Sequence, residues 1–222
     1  METPDIFSIV DAYIDELFAP EDAALQQALA EARRAGIPEM QVSAGQGKLV
    51  QLLAKIVGAR RILEIGTLGG YSTIWLARAL PEEGRLVTLE LDEGHAEVAR
   101  RNLASAGLSA KVEVVVGAAV ETLPGVIDRA DAPFDLVFLD ADKINYLGYL
   151  AQIMRRVRSG SLILADNVVR KGTILAPRHD DPSAGAARVF NAAIAADDRL
   201  EAIVLQQVGV KGHDGLAIAR VK

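Results

Sequence analysis

At 222 residues, half of them hydrophobic and about a quarter charged, the chain has the length and composition of one domain with a substantial core. A net charge of −6 argues against a broad phosphate-binding surface, and the absence of cysteine excludes disulfides, thiolate metal sites and cysteine nucleophiles. No apolar run approaches the ~20 residues of a membrane-spanning helix. The acidic start Met1-Glu2-Thr3-Pro4-Asp5 lacks the basic region and apolar core of a signal peptide, so a soluble, cytoplasmic protein is expected.

Residues 6–18 place Ile6, Ile9, Val10, Tyr13, Ile14 and Leu17 at helical spacing, with Asp11, Asp15 and Glu16 opposite, and Pro20 ends the helix. A second helix is expected over 21–35, with Leu25 and Leu29 inward and Gly36-Ile37-Pro38 closing it. Ser43 and Gln46 have the spacing of a capping box for a third helix, running to about Val57 through Leu49, Leu52, Leu53 and Ile56. The chain reads as a single domain over 1–222, in which 1–58 form a helical cap and 59–222 the core.

From residue 60 onward, strand-like runs alternate with helical segments. Strands are expected at 61–65, 85–90, 112–116, 134–140 and 161–166, and helices at 72–80, 93–106, 119–123 and 146–157. Near-continuous apolar strands separated by helices predict an α/β fold, with a doubly wound, mostly parallel sheet covered on both faces. Two last runs, 200–208 and 215–220, are joined by Lys211-Gly212-His213-Asp214 and predict an antiparallel hairpin at the sheet edge, for seven strands in all. Residues 169–185, with Lys171, Gly172, Pro177, His179, Asp180 and Pro182, read as a long loop, either a lid or an unstructured insertion.

Ligands of open α/β sheets bind beyond the carboxyl ends of the strands. Four of the five expected strands end in acids: Glu64, Glu90, Asp140 and Asp166. Such a like-charged rim repels itself unless a cation compensates it. The first strand runs into Gly66-Thr67-Leu68-Gly69-Gly70 and a helix start at Ser72, a turn that lets backbone N–H groups approach a ligand. Glu90 is spaced to accept from both ribose hydroxyls of a nucleoside. The turn does not match the dinucleotide pattern G-x-G-x-x-G; its spacing, E-x-G-x-x-x-G, suits S-adenosylmethionine, which has no pyrophosphate.

Asp140, Asp166 and Asn167 form an all-oxygen donor set suited to a hard cation, with Mg²⁺ the first choice and Mn²⁺ or Ca²⁺ compatible. The competing reading makes the two aspartates loop caps. Lys143, three residues past Asp140, is placed to reach an acceptor hydroxyl. An unperturbed lysine pKa of ~10.4 would have to fall through desolvation or a nearby cation for it to act as a base. The alternative is a solvated lysine paired with Asp142. Trp75 reads as packing and His95 as a solvent-exposed helix start. Ser72 lacks the G-x-S-x-G setting of a nucleophile.

Glu64-Ile65-Gly66-Thr67, Gly70-Tyr71-Ser72, Glu90, Asp140-Ala141-Asp142-Lys143-Ile144-Asn145-Tyr146 and Asp166-Asn167-Val168-Val169 together resemble the cation-dependent O-methyltransferases, the family of catechol and caffeoyl-coenzyme A O-methyltransferases. The similarity extends from Met40-Gln41-Val42-Ser43 to Asp214-Gly215. It implies a Rossmann-like fold and a methyl transfer to a hydroxyl of a small catechol-like acceptor. It further implies that Val42, Glu64, Gly66 and Ser72, with Thr67 and Leu68 of the same turn, hold the methionine half of the cofactor. Glu90 would take the ribose and Ala118 the adenine, and Asp140 would lie near the cofactor's amino group. Asp140, Asp166 and Asn167 would hold the metal, Lys143 would be the general base, and the N-terminal helices would build a homodimer.

Two departures stand out. Gly117-Ala118-Ala119 lacks an acid that many relatives carry, and Val169-Arg170-Lys171-Gly172 replaces a loop that often contains Trp, giving the acceptor pocket a more basic wall. A hydroxylated uridine of tRNA is therefore an alternative acceptor, with Arg170, Lys171 and Arg178 as a small basic patch and the net charge against it; nucleic acid is not the expected partner. A non-catalytic nucleoside-binding protein and a nicotinamide dehydrogenase on the same fold are the readings from other classes.

Overall fold

The computed structural model describes residues 5–222; residues 1–4, on which the expectation of no signal peptide rests, lie outside them. Three helices come first: α1 (Ile6–Phe18), α2 (Ala23–Arg34) and α3 (Ala44–Ile56). Each begins on a side chain that accepts a first-turn N–H: Asp5 from Ser8, Asp22 from Leu25 and Ser43 from Gln46. The capping box is only half made, because the Gln46 side chain turns into the cleft described below.

The alternating part follows as β1 (Arg61–Ile65), α4 (Tyr71–Ala77), β2 (Arg85–Glu90), α5 (Glu93–Ser105), β3 (Val112–Val116), α6 (Ala119–Arg129), β4 (Phe134–Leu139), α7 (Tyr146–Ile153), β5 (Val157–Ala165), α8 (Pro182–Ala196), β6 (Leu200–Gly209) and β7 (Gly212–Val221). One sheet contains all seven strands in the order β3-β2-β1-β4-β5-β7-β6. The first five are parallel, and β7 runs antiparallel to both β5 and β6. The expected architecture is present: a doubly wound sheet with an antiparallel hairpin at its edge.

Alternate residues of the strands feed two cores. Ile62, Leu86, Leu136, Phe138 and Leu164 pack under α2–α5. Leu63, Ile65, Leu89, Val137, Leu139 and Ile163 pack under α6–α8 with Tyr146, Phe190 and Ile194. Burial on both faces explains why these strands read as unbroken apolar runs. Trp75 is part of the first core, as its packing role required.

Four expectations are corrected. Helix α6 does not stop at Leu123 but continues through Pro124 to Arg129. An interior proline costs ~3 kcal/mol, but burying Leu123, Val126 and Ile127 on the sheet returns about 1.5–3 kcal/mol each. Strand β5 starts at Val157, four residues earlier than expected, and reaches Phe134 through a register shift. The 169–185 loop is folded: a 3₁₀ turn over Arg170–Leu175 leads into α8 at Pro182. In the hairpin, Gly209 pairs with Gly212, so the turn is Val210-Lys211, and His213 and Asp214 belong to β7.

The cap also departs from expectation. None of the residues of α1 is buried, and its apolar side chains from Ile6 to Phe18 are 42–66 % exposed. Its polar side is the one turned to the body: Asp11 accepts the Val210 N–H at 3.0 Å, and Asp15 lies against Gly45. On α3 the buried residues are Gly47, Val50, Gln51 and Ala54, while Leu52 and Ile56 face outward.

Candidate active site

Strand β1 ends at Ile65 and turns through Gly66 (φ 106°) and Gly70 (φ 84°) into α4. A Cβ on Gly66 would lie 2.0 Å from the Asp140 carbonyl oxygen, so only glycine lets the ends of β1 and β4 approach this closely. Between these two strands the sheet order reverses, which is where open α/β sheets form their ligand crevice. A cleft of about 840 Å³ opens there, within the range of small-molecule sites. Val42, Gly66, Thr67, Leu68, Ser72, Glu90, Ala118, Asp140, Lys143, Asp166 and Asn167 all line it.

Glu64 is the one predicted site residue that does not reach the cleft. Strand alternation turns it toward α4 and β2, where it is fully buried and accepts from the hydroxyls of Ser72 (2.7 Å), Thr73 (2.5 Å) and Thr88 (2.7 Å). Desolvation raises its pKa to about 7 against the pull of those three hydroxyls. Glu64 therefore holds Ser72 in place from beneath the floor. Glu90 organises the neighbouring turn: it accepts the N–H of Leu68 at 2.6 Å and of Asp92 at 3.1 Å. Leu68 needs this anchor because its φ of 52° is left-handed, a strained conformation for leucine.

Leu139 of β4 pairs with Ala165 of β5, so Asp140 and Asp166 leave adjacent strands side by side. Asp166 is nearly inaccessible, and desolvation, reinforced by the Asp140 charge, lifts its pKa to about 7. Lys143 does not pair with Asp142, whose carboxylate is taken by Tyr149 and Asn145. It turns inward instead, its Nζ 3.3 Å from Asp140 Oδ1 and donating to the Tyr146 hydroxyl at 2.7 Å. Tyr146 is fully buried, and its hydroxyl donates to the Leu139 carbonyl at 2.9 Å. Burial holds its pKa well above the usual phenol value, so it remains neutral.

Two carboxylates and an amide converge here, and no group of three or more His, Cys, Asp or Glu side chains suited to a metal occurs among the described residues. The donor chemistry fits a hard cation. Mutual repulsion of two crowded carboxylates is the strain a cation would relieve.

Sequence reasoning missed three contributors. Tyr146 lay inside the Asp140–Tyr146 motif, one helical turn past Lys143, but only the fold shows that it carries Lys143. Gln46 was read solely as a cap. Asp214 pins the segment after Asn167, one of its oxygens accepting the N–H groups of Val169 (3.1 Å), Arg170 (2.8 Å) and Gly215 (2.9 Å).

The chain is similar to known O-methyltransferases in sequence and in fold. Residues 15–222 match the family model described as O-methyltransferase. The chain is 48 % identical over 217 residues to a catechol O-methyltransferase of Niastella koreensis, covering 98 % of each chain. It is 51 % identical over 213 residues to one of Mycobacterium tuberculosis, covering 96 % of this chain and 95 % of that one. Among solved structures, an O-methyltransferase from Bacillus cereus in complex with S-adenosylhomocysteine superposes with a TM-score of 0.94 at 45 % identity, covering 97 % and 98 % of the two chains. The O-methyltransferase TomG of Streptomyces achromogenes, involved in tomaymycin synthesis and solved with S-adenosylmethionine, gives 0.94 at 44 %, with full coverage of both.

Proposed function

The chain belongs to the O-methyltransferase family, and we propose that it moves the methyl group of S-adenosylmethionine to one hydroxyl of a small vicinal-dihydroxy aromatic, with a divalent cation bound, Mg²⁺ before Mn²⁺ or Ca²⁺. The observation that carries this reading is the juxtaposition of the crowded Asp140–Asp166 pair with an inward-held Lys143 at the sheet's switch point.

In this reading Val42, Gly66, Thr67, Leu68 and Ser72 hold the methionine half of the methyl donor, with Glu64 acting through Ser72. Glu90 takes the ribose hydroxyls and Ala118 the adenine face. Asp140, Asp166 and Asn167 hold the cation, which when bound offsets the paired carboxylates and polarises adjacent oxygens of the acceptor. Lys143 takes the proton of one acceptor hydroxyl at Nζ. The oxygen so freed bonds to the methyl carbon as the carbon–sulfur bond breaks, leaving S-adenosylhomocysteine. Tyr146 and Asp140 fix Nζ, and the cleft walls keep donor and acceptor in reacting geometry.

Arg178 gives little support to a tRNA acceptor, because Asp180 holds it through two contacts at 2.7 and 2.9 Å. The outward apolar face of α1 supports a homodimer, with a second copy of the chain covering it.

The test is product formation from vicinal diphenols and matched monophenols, with Mg²⁺ or with chelator. Methylated vicinal diphenols alone, lost with chelator and restored by metal, are expected. Methylation that survives the chelator would overturn the metal-centred reading.

A further inference from the structure

Two cations line the cleft beyond the Asp140–Asp166 pair, and methyl transfer itself has no use for either. Arg170 is three residues past Asn167 and lines the cleft. Its Nε is buried without a hydrogen-bond partner, and its nearest carboxylate, Asp181, stands 3.6 Å from Nη2. The backbone that presents it is costly: Arg170 (φ 50°), Lys171 (φ 54°) and Gly172 (φ 81°) are consecutively left-handed, held there by Asp214 through the Val169 and Arg170 N–H groups. Such strain collects where a side chain must be presented in one direction. Lys211, at the β6–β7 turn, also lines the cleft, and its Nζ donates to the Glu39 carbonyl at 3.3 Å. The carboxylate of Glu39 is engaged by Arg33 at 2.6 Å and so does not neutralise Lys211.

We propose that the acceptor carries a carboxylate remote from its two hydroxyls, and that Arg170 and Lys211 read it. The proposal rests on the reading of the acceptor as a vicinal diphenol and adds its charge. Both side chains line the cleft and carry N–H donors suited to charge-assisted hydrogen bonds with a carboxylate, which a partly desolvated setting strengthens. Size limits the anion: one cleft of about 840 Å³ must take both the methyl donor and the acceptor, which suits a carboxylate on the ring or a short side chain rather than a nucleotide-sized group. Asp181 offsets part of the Arg170 charge at 3.6 Å, so Lys211, whose bond goes to a backbone carbonyl, carries the larger share of the preference.

The test compares kcat/KM for 3,4-dihydroxybenzoate, unsubstituted catechol and 3,4-dihydroxyphenethylamine at saturating S-adenosylmethionine and Mg²⁺. Calorimetry of 3,4-dihydroxybenzoate binding to the protein with S-adenosylhomocysteine and Mg²⁺ accompanies it. The carboxylate is expected to lead catechol, and catechol the amine. Arg170→Gln and Lys211→Gln should each lower the benzoate-to-catechol ratio by about tenfold, the scale of one charge-assisted hydrogen bond, and weaken benzoate binding in parallel. Lys211, on a tight surface turn, gives a variant that tests the idea even if Arg170→Gln folds poorly. Equal kcat/KM for the three compounds, or variants that lower all three alike, would overturn the carboxylate assignment and leave the diphenol reading standing. If none of the three is methylated, the diphenol reading fails and takes this inference with it.

Discussion

Lys143 is an ordinary residue type put into an unusual position by one neighbour. Its Nζ is held at 2.7 Å by a tyrosine hydroxyl that is itself committed to the Leu139 carbonyl. Tyr146→Phe should therefore lower kcat by roughly tenfold while leaving the KM for S-adenosylmethionine unchanged, and Lys143→Ala should lower it by about 10²–10⁴-fold, the range of a lost general base. Initial-rate kinetics on both variants check the order. Glu64 and Asp166 give a pH prediction. Each is an acid whose folded pKa, about 7, lies above the ordinary carboxylate value of 4.5 or 3.8. The folded state therefore prefers both protonated, and their contribution is greatest at low pH and declines as pH rises to about 7. In metal-free protein, a thermal-unfolding series across that range should show a loss of stability that is smaller in Glu64→Gln. Added Mg²⁺ should stabilise more as pH rises, because Asp166 must ionise to serve as a ligand. A Mg²⁺ effect independent of pH would count against Asp166 as a ligand.

The far ends of the strands show how elements are tied together away from the chemistry. Asp135, on β4, accepts the N–H groups of Arg60 (2.8 Å) and Arg61 (3.0 Å) at the start of β1, and the Arg158 guanidinium of β5 at 2.6 Å. Asp135→Ala strands two backbone donors and should cost about 3 kcal/mol, or roughly 6–12 °C in Tm for a chain of this size. Calorimetric unfolding measures this, and S-adenosylhomocysteine affinity should stay put because the staple lies at the end of the sheet opposite the cleft. The central strands were legible in sequence because two-sided burial writes an unbroken apolar run, as at Ile62–Ile65 and Phe134–Leu139. Helix α8 was not, because its buried stripe of Ala184, Ala187, Phe190 and Ile194 starts with alanines, which hardly register as apolar periodicity. The same logic applies to the site. That Asp140, Lys143, Asp166 and Asn167 line one cleft was readable from their places at or just past strand ends. Glu64 was taken for a cleft residue because a strand-end acid does not reveal which face it points to. The hold of Asp214 on Arg170 joins positions 44 residues apart and exists only once the hairpin has folded back.

At the scale of the molecule the unresolved balance is on the surface of α1. A helix normally turns its apolar stripe inward; here Ser8, Asp11 and Asp15 are the better covered residues, and Ile9, Tyr13 and Leu17 are more than half exposed. The helix is fixed in this orientation by Asp11, which takes the Val210 N–H, so the outward face does not arise from a loosely docked segment. Leu52 and Ile56 on α3 and Ile203 and Leu205 on the edge strand β6 are also exposed, and α1 packs against both elements. An apolar helix beside an open sheet edge is an association hazard unless it is covered, and a second copy of the chain is the occupant always at hand. Light scattering coupled to gel filtration at micromolar concentration should report a dimer. Tyr13→Asp with Leu17→Asp should convert it to a monomer that keeps its fold, since neither residue is buried in the single chain. Wild-type protein that runs as a monomer would remove the proposed interface. If the double variant stayed dimeric, the contact would have to lie elsewhere on the surface. Because Asp11 also holds the turn that carries Lys211, the same helix links the proposed dimer face to the acceptor rim. That hydrogen bond is one path by which dissociation would reach the benzoate-to-catechol ratio.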